Sequence, residues 1–491
     1  MKSKMIVACL VAALLLLTIF LPVGIVGAEE AEEIEEKEVK IGVMQALTGD
    51  LGIFGGPMTD AMKLVMKEVN ENGGLLNGTL TLIIEDTGTS EVLAVDGANK
   101  LVKVDKVPAI VGTTSSGPSM AIIGITTANN VLQISSSNTA PDFTIYEDND
   151  FYFRTAPSDA LQGKAMARLA IAEGFKTTGT LVVNNPYGVG FEGVFAEEFK
   201  ALGGTVLESV RYDPQGTIFD SEIEKVCKQE PDFVMLCSYP ETGSIILKAA
   251  YEKGHMENIG WLLSEGLRDE ALAELVGKDE NGNYLIAGLK GTTPDPRAAG
   301  PAYEEFKEKY VAEYGTEVTT YCSNSYDATV VVALAIEKAG NATGTAIRDS
   351  IRDVSNAPGE NVTDVGEALK LIREGKEINY QGASGEITFD KNGDVLGSYC
   401  EWSISNNGSI ALLEPIDLTG PVEIPEEEEE VEEEQTATQT QAPTPEGTPS
   451  TATTTEPEKE EDTPGFEAVF AITGILAVSY LLTRRRNRPP N

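Results

Sequence analysis

The sequence predicts an α/β fold of two lobes, each a parallel β-sheet with helices on both faces. Short apolar segments alternate with amphipathic segments through most of residues 39–264, which is typical of repeated βα units. Roughly 385 residues lie between the two low-complexity ends of the chain, more than one typical domain holds. The alternation restarts after residue 153, so two doubly wound lobes are the simplest interpretation.

Each predicted strand is a short run of apolar residues, and each predicted helix is apolar on one side only. For the first lobe we predict strands at 40–44, 79–85, 109–111 and 131–134, and helices at 57–72, 91–104 and 118–128. For the second lobe we predict strands at 180–183, 205–210, 233–237 and 261–264, and helices at 161–173, 191–202, 221–228 and 243–253. Because a helix separates successive strands, neighbouring strands can run parallel.

Residues 1–28 have the pattern of a secretory signal peptide. Lys2 and Lys4 precede an apolar stretch, and Gly27-Ala28 offers a cleavage site of small residues. A signal anchor that is not cleaved is the alternative. Residues 29–38 then form a short acidic segment with seven acids and one lysine.

Residues 464–488 predict the location of the chain. A Pro-Gly-Phe triplet opens a 17-residue apolar run, and arginines follow it directly. This order is typical of a stop-transfer segment whose arginines stay in the cytoplasm, so the preceding chain is extracytoplasmic. Residues 421–463 are rich in Glu, Thr and Pro, and we predict that they form a disordered stalk.

Charge argues against one class of partner. The formal net charge is −41, and residues 421–463 alone hold fifteen acids against one lysine. The rest of the chain is moderately acidic and has no basic patch that could neutralise phosphates. Nucleic acid is therefore not a predicted partner.

Catalytic and metal chemistry have little support in the sequence. The chain has one histidine, His255, and no nucleophile elbow. Cys227, Cys237, Cys322 and Cys400 have no metal-ligand spacing; in an exported protein they either form two disulfides or stay as buried thiols. We therefore predict a binding protein rather than an enzyme, with no cofactor and no metal.

Hydroxyl-rich loops follow two predicted strands of the first lobe, at residues 112–118 and 135–141. Open α/β sheets bind ligands at the carboxyl ends of their strands. Hydroxyls and free N–H groups at the start of a helix suit a carboxylate, although helix capping by the same residues is the alternative. A glycine-rich loop at 47–55 follows the first strand and is flexible enough to approach a ligand closely.

Glu265 directly follows a predicted strand of the second lobe. A buried carboxylate requires a cation, and either a ligand ammonium or a nearby lysine or arginine would supply it. With an ammonium there and a carboxylate on the first lobe, the cleft would hold a zwitterion. Phe54, Tyr187 and Tyr239 could then line its apolar side chain.

Several segments carry a resemblance when they are taken in order. They are residues 39–55 (VKIGVMQALTGDLGIFG), 69–78 (VNENGGLLNG), 109–116 (AIVGTTSS), 135–141 (SSSNTAP), 153–155 (FRT), 185–188 (NPYG) and 325–328 (SYDA). In this order they resemble type I periplasmic binding proteins of the branched-chain amino acid and amide group. The resemblance covers nearly all of residues 39–415.

The resemblance implies a role for each residue of the cleft. Ser116 and Thr139 would bind the ligand carboxylate, and the Ser137 backbone carbonyl and Glu265 would bind the amine. The pocket would be completed by Thr114, Ser115, Phe54, Tyr187, and Ser238 or Tyr239. Phe54 stands where this family commonly has tyrosine, and Ser238 stands where it often has an aromatic residue.

The resemblance also implies that three crossings join the lobes and that the lobes close by a hinge motion. The crossings are expected near 153–157, 285–294 and 381–386. Lobe 1 would then comprise residues 39–154 and 290–380, and lobe 2 residues 155–289 and 381–420.

The Pro-Gly-Phe tail resembles archaeal sorting signals, in which an archaeosortase removes the apolar segment and attaches a lipid. A retained transmembrane segment is the alternative. Four Asn-X-Ser/Thr sequons and the threonines of the stalk predict a glycoprotein.

Taken together, these features predict a substrate-binding protein at the outer cell surface. It would capture a branched-chain or other small amino acid and deliver it to an ABC permease. Two alternatives remain: a receptor for an amide, urea or aromatic acid on the same fold, and a ligand-sensing subunit for a separate signalling partner.

Overall fold

The computed structural model describes residues 37–422. The predicted signal peptide, residues 29–36 of the acidic segment, nearly all of the stalk and the C-terminal segment lie outside the described residues. No helix within residues 37–422 is both long enough and apolar enough to cross a membrane.

The described chain alternates strands and helices as predicted. The strands are β1 (Glu38–Gln45), β2 (Thr79–Asp86), β3 (Ala109–Gly112), β4 (Leu132–Ser135), β5 (Tyr152–Arg154), β6 (Thr177–Val183), β7 (Thr205–Tyr212), β8 (Phe233–Cys237), β9 (Gly260–Leu263), β10 (Lys290–Pro294), β11 (Glu360–Val362), β12 (Ile378–Gly382), β13 (Gly385–Glu386), β14 (Tyr399–Ile404) and β15 (Ile410–Pro415). The helices are α1 (Gly52–Glu71), α2 (Glu91–Lys100), α3 (Ser116–Ala128), α4 (Asp159–Ala172), α5 (Pro186–Ala201), α6 (Asp220–Cys227), α7 (Pro240–Glu252), α8 (Ala271–Val276), α9 (Pro301–Tyr314), α10 (Cys322–Ala339), α11 (Gly344–Ser355) and α12 (Val365–Arg373).

Lobe 1 is built on a five-stranded parallel sheet in the order β2-β1-β3-β4-β5. Strands β3 and β4 are buried at every residue because helices cover both faces of the sheet. The chain order reverses at β1, which lies between β2 and β3. Ligands bind at such a switch point in open α/β sheets, so the loops after β1 and β3 lie at the expected place.

Lobe 2 is built on a seven-stranded sheet in the order β15-β14-β10-β9-β8-β6-β7. Strands β6 to β10 are parallel, whereas β14 and β15 add an antiparallel edge that the sequence did not indicate. The two doubly wound lobes of the predicted fold are thus confirmed.

Two predicted crossings differ in position from the observed chain path. Strand β10 pairs with β9 and β14, so residues 290–294 belong to the sheet of lobe 2 and not to lobe 1 as expected. Its sequence, Lys-Gly-Thr-Thr-Pro, is too polar to give a strand signal. The third expected crossing, 381–386, falls on the small sheet β11-β12-β13, and the chain enters the second sheet only at β14.

The segment between these crossings completes lobe 1. Helices α9, α10 and α12 pack against α1, and α11 packs near β4. Helix α10 is buried from Cys322 to Ile336, because neighbouring elements cover it on all sides. Its N-terminus therefore points into the region between the lobes from a fixed position.

All four cysteines in the described residues are buried and unpaired, as the thiol alternative predicted. The asparagines of the four sequons, Asn77, Asn341, Asn361 and Asn407, are solvent-exposed. Glycosylation at these positions stays a prediction.

A buried arginine at the first crossing fixes the hinge. The Arg154 side chain is fully buried, and its Nε donates to Asp394 Oδ1 at 2.6 Å. Its Nη1 donates to the carbonyls of Asn138 (3.2 Å) and Ala140 (2.9 Å), and its Nη2 donates to Thr144 Oγ1 (2.9 Å). This side chain therefore ties the last strand of lobe 1 to the third crossing.

We predict that Arg154→Met lowers the free energy of unfolding by about 3–5 kcal/mol, because Asp394 loses its cationic partner and two buried carbonyls lose their donor. Urea-induced unfolding followed by circular dichroism measures this loss. Lys370→Met is the matched control, since it removes only an exposed ion pair with Glu367 and should cause no measurable change. Equal effects of the two substitutions would show that burial of Arg154 is unimportant.

Candidate ligand-binding site

A cavity lies between the two lobes, at the carboxyl ends of their parallel strands. It is lined by Leu51, Phe54, Met58, Thr114, Ser115, Ser116, Ser137, Tyr187, Tyr239, Glu265, Gly266, Thr320 and Tyr321. Eight of the ten predicted site residues are in this set, and Thr139 and Ser238 are not. We call this space the ligand cavity.

The lobe 1 side of the ligand cavity presents hydroxyls and a helix N-terminus. Helix α3 begins at Ser116, and the residue before it, Ser115, makes no side-chain capping hydrogen bond. The Ser116 hydroxyl accepts a long hydrogen bond of 3.4 Å from the Ala140 amide. The Thr139 hydroxyl, which is not among the lining groups, is buried without a hydrogen-bond partner. Such groups can bind an anion because the N–H groups and the helix dipole favour negative charge.

Two other hydroxyls on this side are already engaged. Thr114 Oγ1 donates to Gln45 Oε1 at 2.5 Å and accepts from the Ala46 amide at 2.8 Å. Ser137 Oγ donates to the Thr114 carbonyl at 2.8 Å. These bonds fix the loops after β1, β3 and β4 to one another. Thr114 and Ser137 therefore shape the cavity, but their hydroxyls already have partners within the protein.

Glu265 reaches the cavity from the short 3-10 helix that follows β9. Its side chain is almost completely buried, and it accepts hydrogen bonds from Gln162 Nε2 (2.7 Å) and Tyr321 OH (3.4 Å). Both donors are neutral, so neither balances the charge of the carboxylate. Burial raises the pKa of Glu265 to about 7, although the nearby polar groups of Tyr187 and Gln162 oppose this rise.

Asp159 is a second buried carboxylate that the sequence analysis missed. It is the first residue of α4, is fully buried behind the residues that line the cavity, and has no donor at hydrogen-bonding distance from either carboxylate oxygen. Burial raises its pKa well above the ordinary value, and the negative charge of Glu265 raises it further; Thr139 and Arg154 partly offset this. An acid at the first turn of a helix is common, which is why its sequence position gave no signal.

Aromatic rings close the lobe 2 side of the cavity. Tyr187 and Tyr239 are stacked, with ring centroids 5.6 Å apart and an interplanar angle of 10°. Phe54 faces the same cavity from α1. The expectation for Ser238 is wrong, because its hydroxyl lies 2.6 Å from Tyr212 OH inside lobe 2. Successive residues at the end of a strand point to opposite sides, so only Tyr239 reaches the cavity.

Thr320 and Tyr321 line the cavity from the residues just before α10, and the sequence analysis missed both. Tyr321 adopts a left-handed backbone conformation (φ 65°), which is uncommon for a residue with a side chain. These residues follow a loop between two helices rather than a strand. A site predicted from the ends of strands therefore does not include them.

The lobes are also joined across the front of the cavity. Asp50, in the glycine-rich loop of lobe 1, accepts hydrogen bonds from the Thr242 amide (3.0 Å) and the Thr242 hydroxyl (2.9 Å) of lobe 2. Thr242 lies in the first turn of α7, and the residue preceding that helix, Tyr239, makes no side-chain cap. Asp50 thus caps a helix of the opposite lobe and holds the lobes together.

Two hinged lobes that enclose a polar and aromatic cavity define a receptor for a small ligand. The family described as "Receptor family ligand binding region" matches residues 57–406, so the chain belongs to this family. The PGF-CTERM motif matches residues 463–485, which supports anchoring at the cell surface. The resemblance inferred from the sequence is thereby confirmed.

Curated relatives and a solved structure agree with this assignment. The chemotactic signal transduction system substrate-binding protein BasB of Halobacterium salinarum is 25% identical over 369 residues, covering 71% of this chain and 83% of BasB. The Leu/Ile/Val-binding protein BraC3 of Rhizobium johnstonii is 25% identical over 362 residues, covering 73% of this chain and 89% of BraC3. The leucine-binding protein LivK of Thermotoga maritima superposes with a TM-score of 0.66 at 27% identity, covering 77% of this chain and 99% of LivK.

The raised pKa of Glu265 predicts a pH dependence of stability in the absence of ligand. Between about pH 4.5 and 7 Glu265 is more protonated in the folded protein than in the unfolded chain, so its contribution to the free energy of unfolding falls as the pH rises. We expect Glu265 to account for up to about 3 kcal/mol of this fall.

Urea unfolding at pH 5 and pH 8 measures the effect. Glu265→Gln should reduce the difference between the two pH values, whereas Glu270→Gln, a substitution of an exposed neighbour, should leave it unchanged. An identical pH dependence in the wild type and Glu265→Gln would mean that Glu265 titrates normally.

Proposed function

We propose that the chain is an extracytoplasmic receptor that binds a small α-amino acid in the ligand cavity. The observation that carries this proposal is Glu265, a buried carboxylate that lines the ligand cavity and has only neutral hydrogen-bond donors. A ligand ammonium beside Glu265 would supply the missing positive charge, and it would also be attracted by Asp159, whose charge interacts with that of Glu265.

The other end of an amino acid matches the lobe 1 side of the cavity. Its carboxylate would accept hydrogen bonds from Ser116, Thr139 and the first N–H groups of α3. The Ser137 backbone carbonyl would accept from the ammonium. Its side chain would contact Phe54 and the stacked pair of Tyr187 and Tyr239.

The names of two relatives favour a branched-chain amino acid as the ligand. BraC3 is named a Leu/Ile/Val-binding protein, and LivK is named a leucine-binding protein. In this proposal the closed receptor delivers its ligand to an ABC permease in the membrane, and no reaction is catalysed. A lipid added by an archaeosortase-like enzyme at the Pro-Gly-Phe tail would anchor it, which the PGF-CTERM match supports.

A second candidate function is ligand sensing. BasB is named as a substrate-binding protein of a chemotactic signal transduction system, so a relative of similar identity serves a signalling partner. The binding reaction would be the same in both cases. The two functions differ in the membrane partner that recognises the closed lobes.

We predict that Glu265→Ala weakens leucine binding by about 100-fold or more, because the ligand ammonium loses a buried charged partner. Ser116→Ala should weaken it by about 5- to 10-fold, because one hydrogen bond to the carboxylate is lost. Isothermal titration calorimetry measures both, with Glu270→Ala as the exposed control.

Unchanged affinity in both variants would refute the assignment of this cavity. The deaminated analogue of leucine, 4-methylpentanoate, tests the ligand class. We expect it to bind far more weakly than leucine, and equal binding would instead favour a receptor for aromatic acids or amides.

We predict that Asp50→Ala speeds ligand dissociation by about 10-fold, because two hydrogen bonds that hold the closed lobes together are lost. Stopped-flow fluorescence after dilution of the complex measures the rate constant. The exposed far end of α7 provides the control, Glu252→Ala, which should leave the rate unchanged. A dissociation rate unaffected by Asp50→Ala would mean that this contact does not hold the lobes.

A further inference from the structure

A second, larger cavity of about 520 Å³ lies at the hinge, behind the ligand cavity. Its walls include residues of all three crossings: Thr155 and Pro157, 294–296, and 384–398. Thr320 and Tyr321 line both cavities and form the wall between them. We call this space the hinge cavity.

The hinge cavity contains an arginine without an acidic partner. Arg268 lines it and donates from Nη1 to Thr320 Oγ1 at 3.2 Å, while its Nε is buried without a hydrogen-bond partner. Loss of hydration lowers the pKa of this guanidinium. Arg297 follows Pro296, which lines the same cavity. Unlike Arg268 it has an acidic partner, because its Nε lies 2.8 Å from Asp295 Oδ1.

Thr293 also lines the hinge cavity and carries a buried hydroxyl. Thr293, on β10, is completely buried and its Oγ1 has no hydrogen-bond partner. It lies opposite Cys400 on β14, and the Cys400 thiol is close enough to Arg268 for the guanidinium charge to act on it. The neighbouring Thr292 points to the other face of the sheet, toward Gln162. Thr293 and Arg268 are therefore two lining residues of the hinge cavity that each have an unused donor.

We propose that the hinge cavity binds a small organic acid as its carboxylate monoanion, held by Arg268 and Thr293. A carboxylate oxygen accepts hydrogen bonds from both an arginine N–H and a hydroxyl, and so satisfies both donors at once. The cavity is large enough for an organic acid of a few carbon atoms.

The charges around the hinge cavity favour a single negative charge over two. Asp295 and Asp394 also line it, but each is paired with an arginine. Glu386 and Asp390 line it as well, and they repel a dianion such as phosphate more strongly than a monoanion. Arg268 is the lining cation that opposes this repulsion.

An occupied hinge cavity favours the closed lobes. Its walls belong to both lobes and to the segments that bend when the lobes move, so the bound acid makes its full set of contacts in one arrangement only. Tyr321 extends this effect to the ligand cavity, because its hydroxyl donates to Glu265. The site itself does not depend on the proposed function, whereas the coupling to amino-acid binding rests on it.

Sodium acetate, compared with sodium chloride at equal ionic strength, tests the site on the full-length chain. We expect acetate to raise the thermal midpoint of the wild type by about 2 °C or more at saturation. Arg268→Gln and Thr293→Val should abolish this shift. Arg348→Gln, which removes an arginine that lies outside the hinge cavity and pairs with Asp349, should retain it.

Loss of folding is excluded as an explanation by the Thr293→Val variant. Without acetate its midpoint should equal or exceed that of the wild type, because the substitution removes a buried hydroxyl that has no partner. No acetate shift in the wild type, or a shift kept in both Arg268→Gln and Thr293→Val, would overturn the proposal.

Acetate could also bind at the carboxylate end of the ligand cavity. The experiment therefore includes the Ser116→Ala variant. A shift lost in Ser116→Ala and kept in Arg268→Gln would place acetate in the ligand cavity and overturn the hinge site. A larger shift with sodium phosphate than with acetate would overturn the assignment to a monoanion.

The coupling has its own measurement. Acetate should tighten leucine binding by about 5-fold in the wild type and not in Arg268→Gln. A thermal shift without any effect on leucine affinity would overturn the coupling alone. If leucine does not bind at all, the proposed function fails while the thermal shift still decides the hinge site.

Discussion

Burial of two carboxylates without a balancing cation is the constraint that shapes this cleft. Removing an ion from water costs several kcal/mol unless a partner replaces its hydration. Asp159 has no hydrogen-bond partner, and Glu265 has neutral ones. The arrangement persists because both residues are attached to well-packed elements, α4 and the end of β9, whose burial does not depend on the state of the cleft. Burial of these two acids in their ionised form therefore lowers the stability of the folded protein.

The nearest buried cation does not relieve this constraint. Arg154 partly offsets the charge of Asp159, but its guanidinium is paired with Asp394 and with backbone carbonyls at the hinge. Arg268 is only three residues after Glu265, and it lies on the other side of the wall that contains Tyr321. The 3-10 turn at 265–267 directs the two side chains into different cavities. As a result, opposite charges that could have formed an ion pair are kept apart, one in each cavity.

The sequence was a good guide wherever function follows the end of a strand. Ser116 and Glu265 could be predicted because β3 and β9 are short apolar runs with clear ends. Asp159 could not, because an acid in the first turn of a helix is usually explained by the helix itself. Strand β10 was missed because its residues are polar, and it forms because β9 and β14 supply partners on both sides. These misses share one cause: the deciding contacts are tertiary and have no local pattern.

A third acid, Asp50, is buried where the two lobes meet. Asp50 accepts two hydrogen bonds from Thr242, yet its pKa is raised, because burial between the lobes outweighs those bonds. The contact between the lobes therefore removes Asp50 from water, and Asp159 and Glu265 are buried as well. Without a ligand, none of these three acids forms an ion pair. The ammonium of the proposed ligand would supply a positive charge beside Glu265 and near Asp159. Under the proposed function, a ligand ammonium would make lobe closure more favourable, and the closed shape would then report that the cleft is filled.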